Sequence, residues 1–294
     1  MLCRGRTIGR AGADTLGAIG MNYRHIYHAG NFADVMKHIV LVLCLDYLQK
    51  KDGGLCFLDA HGGAGLYALD SEEASKTREW EKGIGRLSGR TGTPACLELY
   101  LDLIKEDFDA QRYPGSPLLM ARRLRSQDRL IAAELHEPTF EALQAVLKPY
   151  KNARAMHMDA YECVRAHIPP AKRRGLVLID PPFELKDEFL TLAGQMREWK
   201  KRWATSVYVL WYPIKAHLPV KELKEAAQAL GLRRTWFVEA LICPRDRPES
   251  LNGCGVIVFN APYTAPERTE ALLPYLKEAM TLHEAASGWL VPGS

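Results

Sequence analysis

The stretch LCFLDAHGGAG at residues 55–65 most constrains the fold: a short apolar run, an aspartate, then Gly62, Gly63 and Gly65. A run this short and apolar is a buried strand, and the glycines after it let the backbone turn tightly and approach a ligand with no Cβ in the way. Strand followed by glycine-rich turn is the entry to a nucleotide-type α/β fold. The same rhythm returns downstream. LIAAELH (130–136), ARAMHMDA (153–160), GLVLID (175–180) and TSVYVLWYP (205–213) read as strands, and helices are predicted over 138–150, 187–203 and 216–230. RRTWFVEALI and GCGVIVFNAPY read as two terminal strands, antiparallel neighbours joined by a short Pro-, Arg- and Asp-rich loop. Helices between short buried strands imply a largely parallel sheet covered on both faces.

Upstream, Val35, Ile39, Val42, Leu45 and Leu48 recur at helical spacing between Asn31 and Lys51, and Gly53-Gly54 stops the helix. Lys37 falls roughly opposite the Val35 stripe, which predicts a solvated lysine; His38 lies at the stripe's edge and suits a structural histidine or a ligand contact equally. Between about 69 and 114 the strand rhythm breaks. Ser71 to Trp80 is charged and helical, Leu97, Leu101, Ile104 and Phe108 form another helical stripe, and no strand candidate separates them. We read this as a helical insertion within one domain spanning 21–294. YPGSP at 113–117 is a turn, with Ser116 as N-cap and Pro117 at the first helical position.

With 294 residues, 47% hydrophobic, the chain can bury a sizeable core. A net charge of +4 excludes a histone-like polycation, so nucleic-acid contact must come from local patches. Candidates are Arg122, Arg125 and Arg129, Lys172-Arg173-Arg174, and Lys200-Lys201-Arg202 beside Trp199 and Trp203; each serves equally well as a solvated face. Seven cysteines without a CxxC fit a reduced, cytoplasmic setting. No run of about 18 apolar residues is present to span a membrane. Residues 1–20 carry Arg4, Arg6 and Arg10 without a continuous apolar segment and read as a disordered tail or an upstream start. Nothing in the composition requires a dimer, and a monomer is expected.

Acids fall at the ends of successive strands, where open α/β sheets bind ligands: Asp59, Glu134, Asp159 and Asp180. S-adenosylmethionine suits this row, since its ribose hydroxyls and adenine amine want acceptors, which Glu134 and Asp159 are placed to supply. A nicotinamide dinucleotide fits less well: the gap from glycine loop to acid is about 70 residues, against the ~20 of a dinucleotide fold. The most specific motif is Asp180-Pro181-Pro182-Phe183. An adenine amine is a poor nucleophile because its lone pair is delocalised into the ring. A carboxylate and a backbone carbonyl accepting from its two N–H groups favour the pyramidal nitrogen of the transition state. Asp180 and the Pro181 carbonyl suit this, two prolines remove backbone donors and fix φ, and Phe183 offers a face for a swung-out base. The bland alternative is an ordinary strand-ending Asp-Pro turn. Residues 22–38 hold three histidines, but His25 and His28 have no Cys or acid at ligand spacing, so no metal is expected.

The segments YRHIYHAGNFADVMKH, LDAHGGAG, YPGSP, ELH, LIDPPFE, LWYPI and GCGVIVFNAPY occur in the order seen in the 23S ribosomal RNA adenine-N6 methyltransferase J family, which the chain resembles over about residues 21–291. The resemblance implies a Rossmann-like, S-adenosylmethionine-dependent methyltransferase fold with an inserted helical subdomain, acting on 23S ribosomal RNA. It implies that Lys37, His38, His61, Gly63, Ser116, Glu134, Asp159, Ala160 and Asp180 line the cofactor region. Asp180 is then the catalytic acceptor with Pro181 and Phe183, and Tyr23, His25 and Lys37 serve the substrate side. Two positions depart from the family pattern: Ala160 stands where glycine is common, and Phe183 where tyrosine is common. A DNA adenine methyltransferase and a non-catalytic RNA-binding module remain alternatives.

Overall fold

Helix α1 (Phe32–Leu48) begins where Asn31 accepts hydrogen bonds from the N–H groups of Ala33 and Asp34. It is buried on all sides: 14 of its 17 residues are inaccessible, Lys37 and His38 among them, which overturns the solvated lysine expected from periodicity. The reason is placement. The computed structural model, which describes residues 24–183, 187–248 and 251–293, packs α1 between the sheet and further helices. Tyr23 and the 1–20 segment lie outside the described residues.

From α1 the chain enters β1 (Cys56–Asp59) and the glycine turn, then β2 (Leu66–Ala68), α2 (Glu72–Thr77), α3 (Glu79–Lys82), α4 (Ala95–Asp109) and β3 (Arg112–Pro114). The single helix expected over 71–80 is broken at Arg78, whose φ of 50° lies in the left-handed region. β2 and β3 pair antiparallel, Tyr67 opposite Tyr113, and close the base of this segment, a strand pair too short to register in the apolar pattern. α5 (Ser116–Arg122) follows, with Gly115 at the N-cap and Ser116 as first helical residue, one position earlier than expected.

Regular alternation then runs through β4 (Arg129–Glu134), α6 (Glu137–Leu147), β5 (Ala153–His157), α7 (Ala160–His167), β6 (Gly175–Ile179), α8 (Glu188–Trp203), β7 (Val207–Ile214), α9 (Val220–Ala229), β8 (Thr235–Leu241) and β9 (Gly253–Phe259). The strand expected over 153–160 ends at His157, and Asp159 caps α7. The last two expected strands are antiparallel neighbours but are not terminal, because α10 (Ala265–Ala279) and β10 (Glu284–Val291) follow.

The eight-stranded sheet has the order β10-β8-β9-β7-β6-β1-β4-β5. β7, β6, β1, β4 and β5 are parallel, and β9 runs antiparallel between β7 and β8. One apolar core joins this sheet to α1, α4, α5 and α10. A second joins its other face to α7, α8 and α9 through Cys163, Phe189, Met196, Trp199 and Leu223. Chain order reverses between β1 and β6, which puts a crevice at the carboxyl ends of those two strands. Among the described residues no helix is long and apolar enough to cross a membrane.

The three basic clusters lie at the opposite rim, just before the amino ends of β4, β6 and β7. Most of their charges serve the fold there. Arg122 pairs with Asp107 at 2.6 Å and Arg125 with Asp128 at 2.9 Å, while Arg174 and Lys200 donate to the carbonyls of Leu48 and Leu230.

Candidate active site

The crevice between β1 and β6 is stitched by two hydrogen bonds: Ala60 N–H donates to the Leu178 carbonyl at 2.9 Å, and Asp180 N–H donates to His61 Nδ1 at 3.2 Å. His61 is therefore an acceptor on Nδ1, and burial pushes its pKa down to about 4, so the neutral ring carries its proton on Nε2.

Above this crevice α1 delivers a buried charge cluster. Lys37 Nζ lies 2.5 Å from Asp180 Oδ2 and 2.8 Å from Asp34 Oδ1. The other Asp34 oxygen accepts from His25 Nε2 at 2.9 Å and from Gly30 N–H at 3.0 Å. Burial works against the Lys37 ammonium, but Asp180 and then Asp34 outweigh it and hold the group well above the usual lysine range. Burial likewise opposes the Asp34 carboxylate, and His25 and Lys37 outweigh it and hold it well below the usual range. Lys37 thus keeps one Asp180 oxygen engaged, and the Asp180 side chain remains 17% exposed.

Two buried polar atoms in this neighbourhood have no partner among the described residues: Oδ2 of Asp59 and Nε2 of His38. Both groups feel the Lys37 charge. Asp59 ends β1, and burial pushes its carboxyl up to about 6, with the Ser116 hydroxyl and Lys37 pulling the other way. Burial pushes His38 down to about 3, so it is neutral. An unpaired buried acceptor and an unpaired buried imidazole nitrogen are costly unless a ligand meets them. Their complementary polarity suits a zwitterionic amino-acid group. The turn beside them has no room for side chains: a Cβ on Gly62 would fall 2.9 Å from Leu143 Cδ2, and one on Gly63, whose φ is +58°, 2.1 Å from Tyr67 Oη. Gly115 N–H donates to the Gly65 carbonyl at 2.9 Å, which draws buried Ser116 to the same turn.

Glu134 and Asp159 stand further along the carboxyl edge. Glu134 Oε1 accepts from His136 N–H at 2.8 Å, and Asp159 Oδ1 accepts from Glu162 N–H at 3.0 Å, so each keeps an oxygen for other partners. Ala160 begins α7 with its N–H in the first helical turn. Neither acid touches the Lys37–Asp180 pair, although the Asp159 charge reaches His61. Pro181 is buried, and Phe183, half-buried with a φ of 52°, packs its ring 5.0 Å from Phe189 and 5.8 Å from Trp211.

A family model described as "Ribosomal RNA large subunit methyltransferase D, RlmJ" matches residues 52–291. Ribosomal RNA large subunit methyltransferase J of Haemophilus influenzae is 38% identical over 275 residues, covering 92% of this chain and 98% of its own. The chain belongs to the RlmJ family. The Escherichia coli RlmJ protein is 36% identical over 279 residues, covering 92% of this chain and 99% of its own. A Legionella pneumophila crystal structure superposes with a TM-score of 0.82 at 31% identity, covering 89% of this chain and 97% of that one. The RlmJ-like motifs named above thus converge: α1 brings Lys37 and His38 to the crevice that holds His61 and Asp180, and His25, in the segment before α1, joins them through Asp34.

Four site residues escaped the sequence reading. Asp34 precedes Lys37 by three positions on an otherwise apolar helix, a signal that was present. Tyr67 had none, and Tyr113 and Trp211 stood within YPGSP and LWYPI without a role of their own, because their roles depend on β2, β3 and β7 meeting at the site.

Proposed function

We propose that this chain transfers the methyl group of S-adenosylmethionine to the N6 amine of an adenine in 23S ribosomal RNA. One observation carries the reading: a carboxylate directly after the switch-point strand, held on one oxygen by a buried lysine and followed by two prolines. With Lys37 engaged on Oδ2, the remaining Asp180 oxygen and the Pro181 carbonyl form a pair of acceptors for the two N–H groups of an adenine amine. They favour the nitrogen as it becomes pyramidal and positive. Asp180 orients and stabilises; it has no need to remove the proton before transfer.

When bound, S-adenosylmethionine supplies an electrophilic methyl on a sulfonium. Asp59 and His38 fit the ammonium and carboxylate of its amino-acid end, Gly63 lets the backbone approach, and His61 and Ser116 flank the turn. Glu134 fits the ribose hydroxyls, and Asp159 with the Ala160 N–H fits the adenine ring. Phe183 offers stacking surface to the target base, which must leave its own stack to enter. In this reading residues 69–114 form an inserted subdomain beside the substrate entrance. It docks on the segment carrying His25 through an ion pair of Arg24 with Glu73 at 3.3 Å and a hydrogen bond between His28 and Glu79 at 3.0 Å. An RNA substrate of this kind places the working enzyme in the cytoplasm.

The test is mass spectrometry of protein-free 23S RNA after incubation with the enzyme and S-adenosylmethionine. The expected product is N6-methyladenosine at one position, absent with Asp180→Asn although that variant still binds S-adenosylhomocysteine. Methylation of DNA or peptide in place of the RNA would overturn the substrate, and near-wild-type turnover by Asp180→Asn would overturn the role of the carboxylate.

A further inference from the structure

Behind His38 lies a chain of buried hydroxyls. His38 Nδ1 is 2.8 Å from Tyr113 Oη, and Tyr113 Oη is 2.8 Å from Tyr100 Oη. The imidazole stacks on the Tyr113 ring at 5.6 Å and 21°. All three side chains are inaccessible to solvent, at 1%, 0% and 1% exposure for His38, Tyr113 and Tyr100. Tyr100 belongs to α4 and Tyr113 to β3, so this chain reaches His38 from the inserted segment.

Only one proton arrangement gives both hydroxyl protons an acceptor and leaves Nε2 of His38 as the single unmatched donor, facing the cofactor side. If Tyr100 donates to Tyr113 and Tyr113 donates to His38 Nδ1, each hydroxyl has an acceptor and the neutral imidazole carries its proton on Nε2. In the reverse arrangement His38 Nδ1–H donates to Tyr113 and Tyr113 donates to Tyr100. The Tyr100 hydroxyl proton is then left in the core with no acceptor among the described residues, a state buried polar groups avoid. The burial that keeps His38 neutral makes the tautomer, and not the charge, the variable that matters.

We propose that Tyr100 and Tyr113 are positioning residues that set the tautomer of His38, presenting Nε2–H as a fixed donor to the carboxylate of the bound cofactor's amino-acid end. The cofactor part rests on the function proposed above; the tautomer part does not. Tyr100 touches neither cofactor nor substrate and acts two hydrogen bonds away. The arrangement makes the inserted segment part of the cofactor site: a shift of α4 or β3 would release the proton from Nε2 and weaken carboxylate binding.

The tautomer is read directly in the ligand-free protein by long-range proton–nitrogen correlation with ¹⁵N-labelled histidine, assigning His38 through His38→Gln. The wild type should show the Nε2–H tautomer, and Tyr113→Phe a mixture of both. A wild-type ring protonated on Nδ1, or a Tyr113→Phe ring unchanged from wild type, overturns the proposal. Calorimetry supplies the second arm. Tyr100→Phe should weaken S-adenosylhomocysteine roughly five- to tenfold, the worth of one biased hydrogen bond to a charged group, while leaving methylthioadenosine, which lacks the amino-acid end, unchanged. Equal losses for both ligands would mark Tyr100 as general packing and overturn the relay. If wild-type protein bound neither ligand, the cofactor assignment would fall, and the nuclear magnetic resonance result would still decide the tautomer.

Discussion

Lys37 serves two carboxylates at once, and without it Asp34 would keep only His25 and the Gly30 N–H. Removing one partner of a buried charge cluster leaves an uncompensated charge in low dielectric. Lys37→Met is expected to lower stability by about 3–5 kcal/mol in urea unfolding as well as abolish methyl transfer; wild-type stability would show the cluster to be dispensable for folding. The same residue shows where sequence reading stops. Period 3.6 says which residues share a face of α1, but calling the opposite face solvated assumes one packed face. α1 meets the sheet, α4, α5 and α10, so its whole circumference is interior. Asp59 carries a second prediction. Its raised pKa, about 6, means that below this value the ligand-free protein holds a neutral carboxyl, which must lose its proton to receive an ammonium. S-adenosylhomocysteine affinity should therefore rise with pH up to about 6 and level off above, falling up to tenfold per unit on the acid side. Calorimetry from about pH 5 to 8 measures this, and an affinity flat through that range would remove Asp59 from the ammonium's contacts.

Among the elements, strands and helices that repeat the α/β alternation were legible because their apolar runs are continuous and their ends punctuated by acids, glycines and prolines. The basic clusters could not be ranked as binding candidates from sequence, because charge runs record composition and not which rim of the sheet they occupy. The carboxyl rim, where Asp180 sits, carries a different set: Lys215 and His217 after β7, and Arg247 in the β8–β9 loop. Arg247 is exposed, and neither it nor Lys215 makes an ion pair among the described residues. Cations with no internal partner on the rim that holds Asp180 are free to neutralise phosphates; those tied to carbonyls on the far rim are not. The paired substitution Lys215→Glu with Arg247→Glu should weaken binding of a 23S RNA fragment and flatten its salt dependence by about one to two contacts, measured by fluorescence anisotropy. Lys172→Glu with Lys201→Glu should leave both unchanged. The opposite pattern would put the RNA on the amino rim, away from Asp180.

At the scale of the molecule, the site exists because β1 and β6 are neighbours in space and 116 residues apart in sequence between Asp59 and Cys56's partner Gly175, a juxtaposition that only the sheet order supplies. That order also explains why α10 and β10 went unread. β10 is an edge strand, half-exposed and made of small residues from Ala285 to Gly288, and its partner is β8, three elements earlier with β9 and α10 between them. Its pairing is tied to the rest by shared contacts. Glu270 of α10 accepts from Trp236 Nε1 of β8 at 3.1 Å and from Ser287 of β10 at 3.0 Å, while the Arg234 guanidinium lies over the rings of Tyr263 and Trp289 at 4.2 and 5.1 Å. Without β10, strand β8 becomes an open edge whose unpaired backbone is a template for another chain. A chain ending after Leu282 is therefore expected to melt roughly 10 °C or more below the full-length protein and to elute as soluble aggregates on size-exclusion chromatography. The crevice between β1 and β6 lies four strands inward from β8's edge, counting β9 and β7 between them. At temperatures where the shortened chain is still folded, its affinity for S-adenosylhomocysteine should match the full-length value, and a loss of binding there would mean that the carboxyl-terminal strand supports the site as well as the sheet.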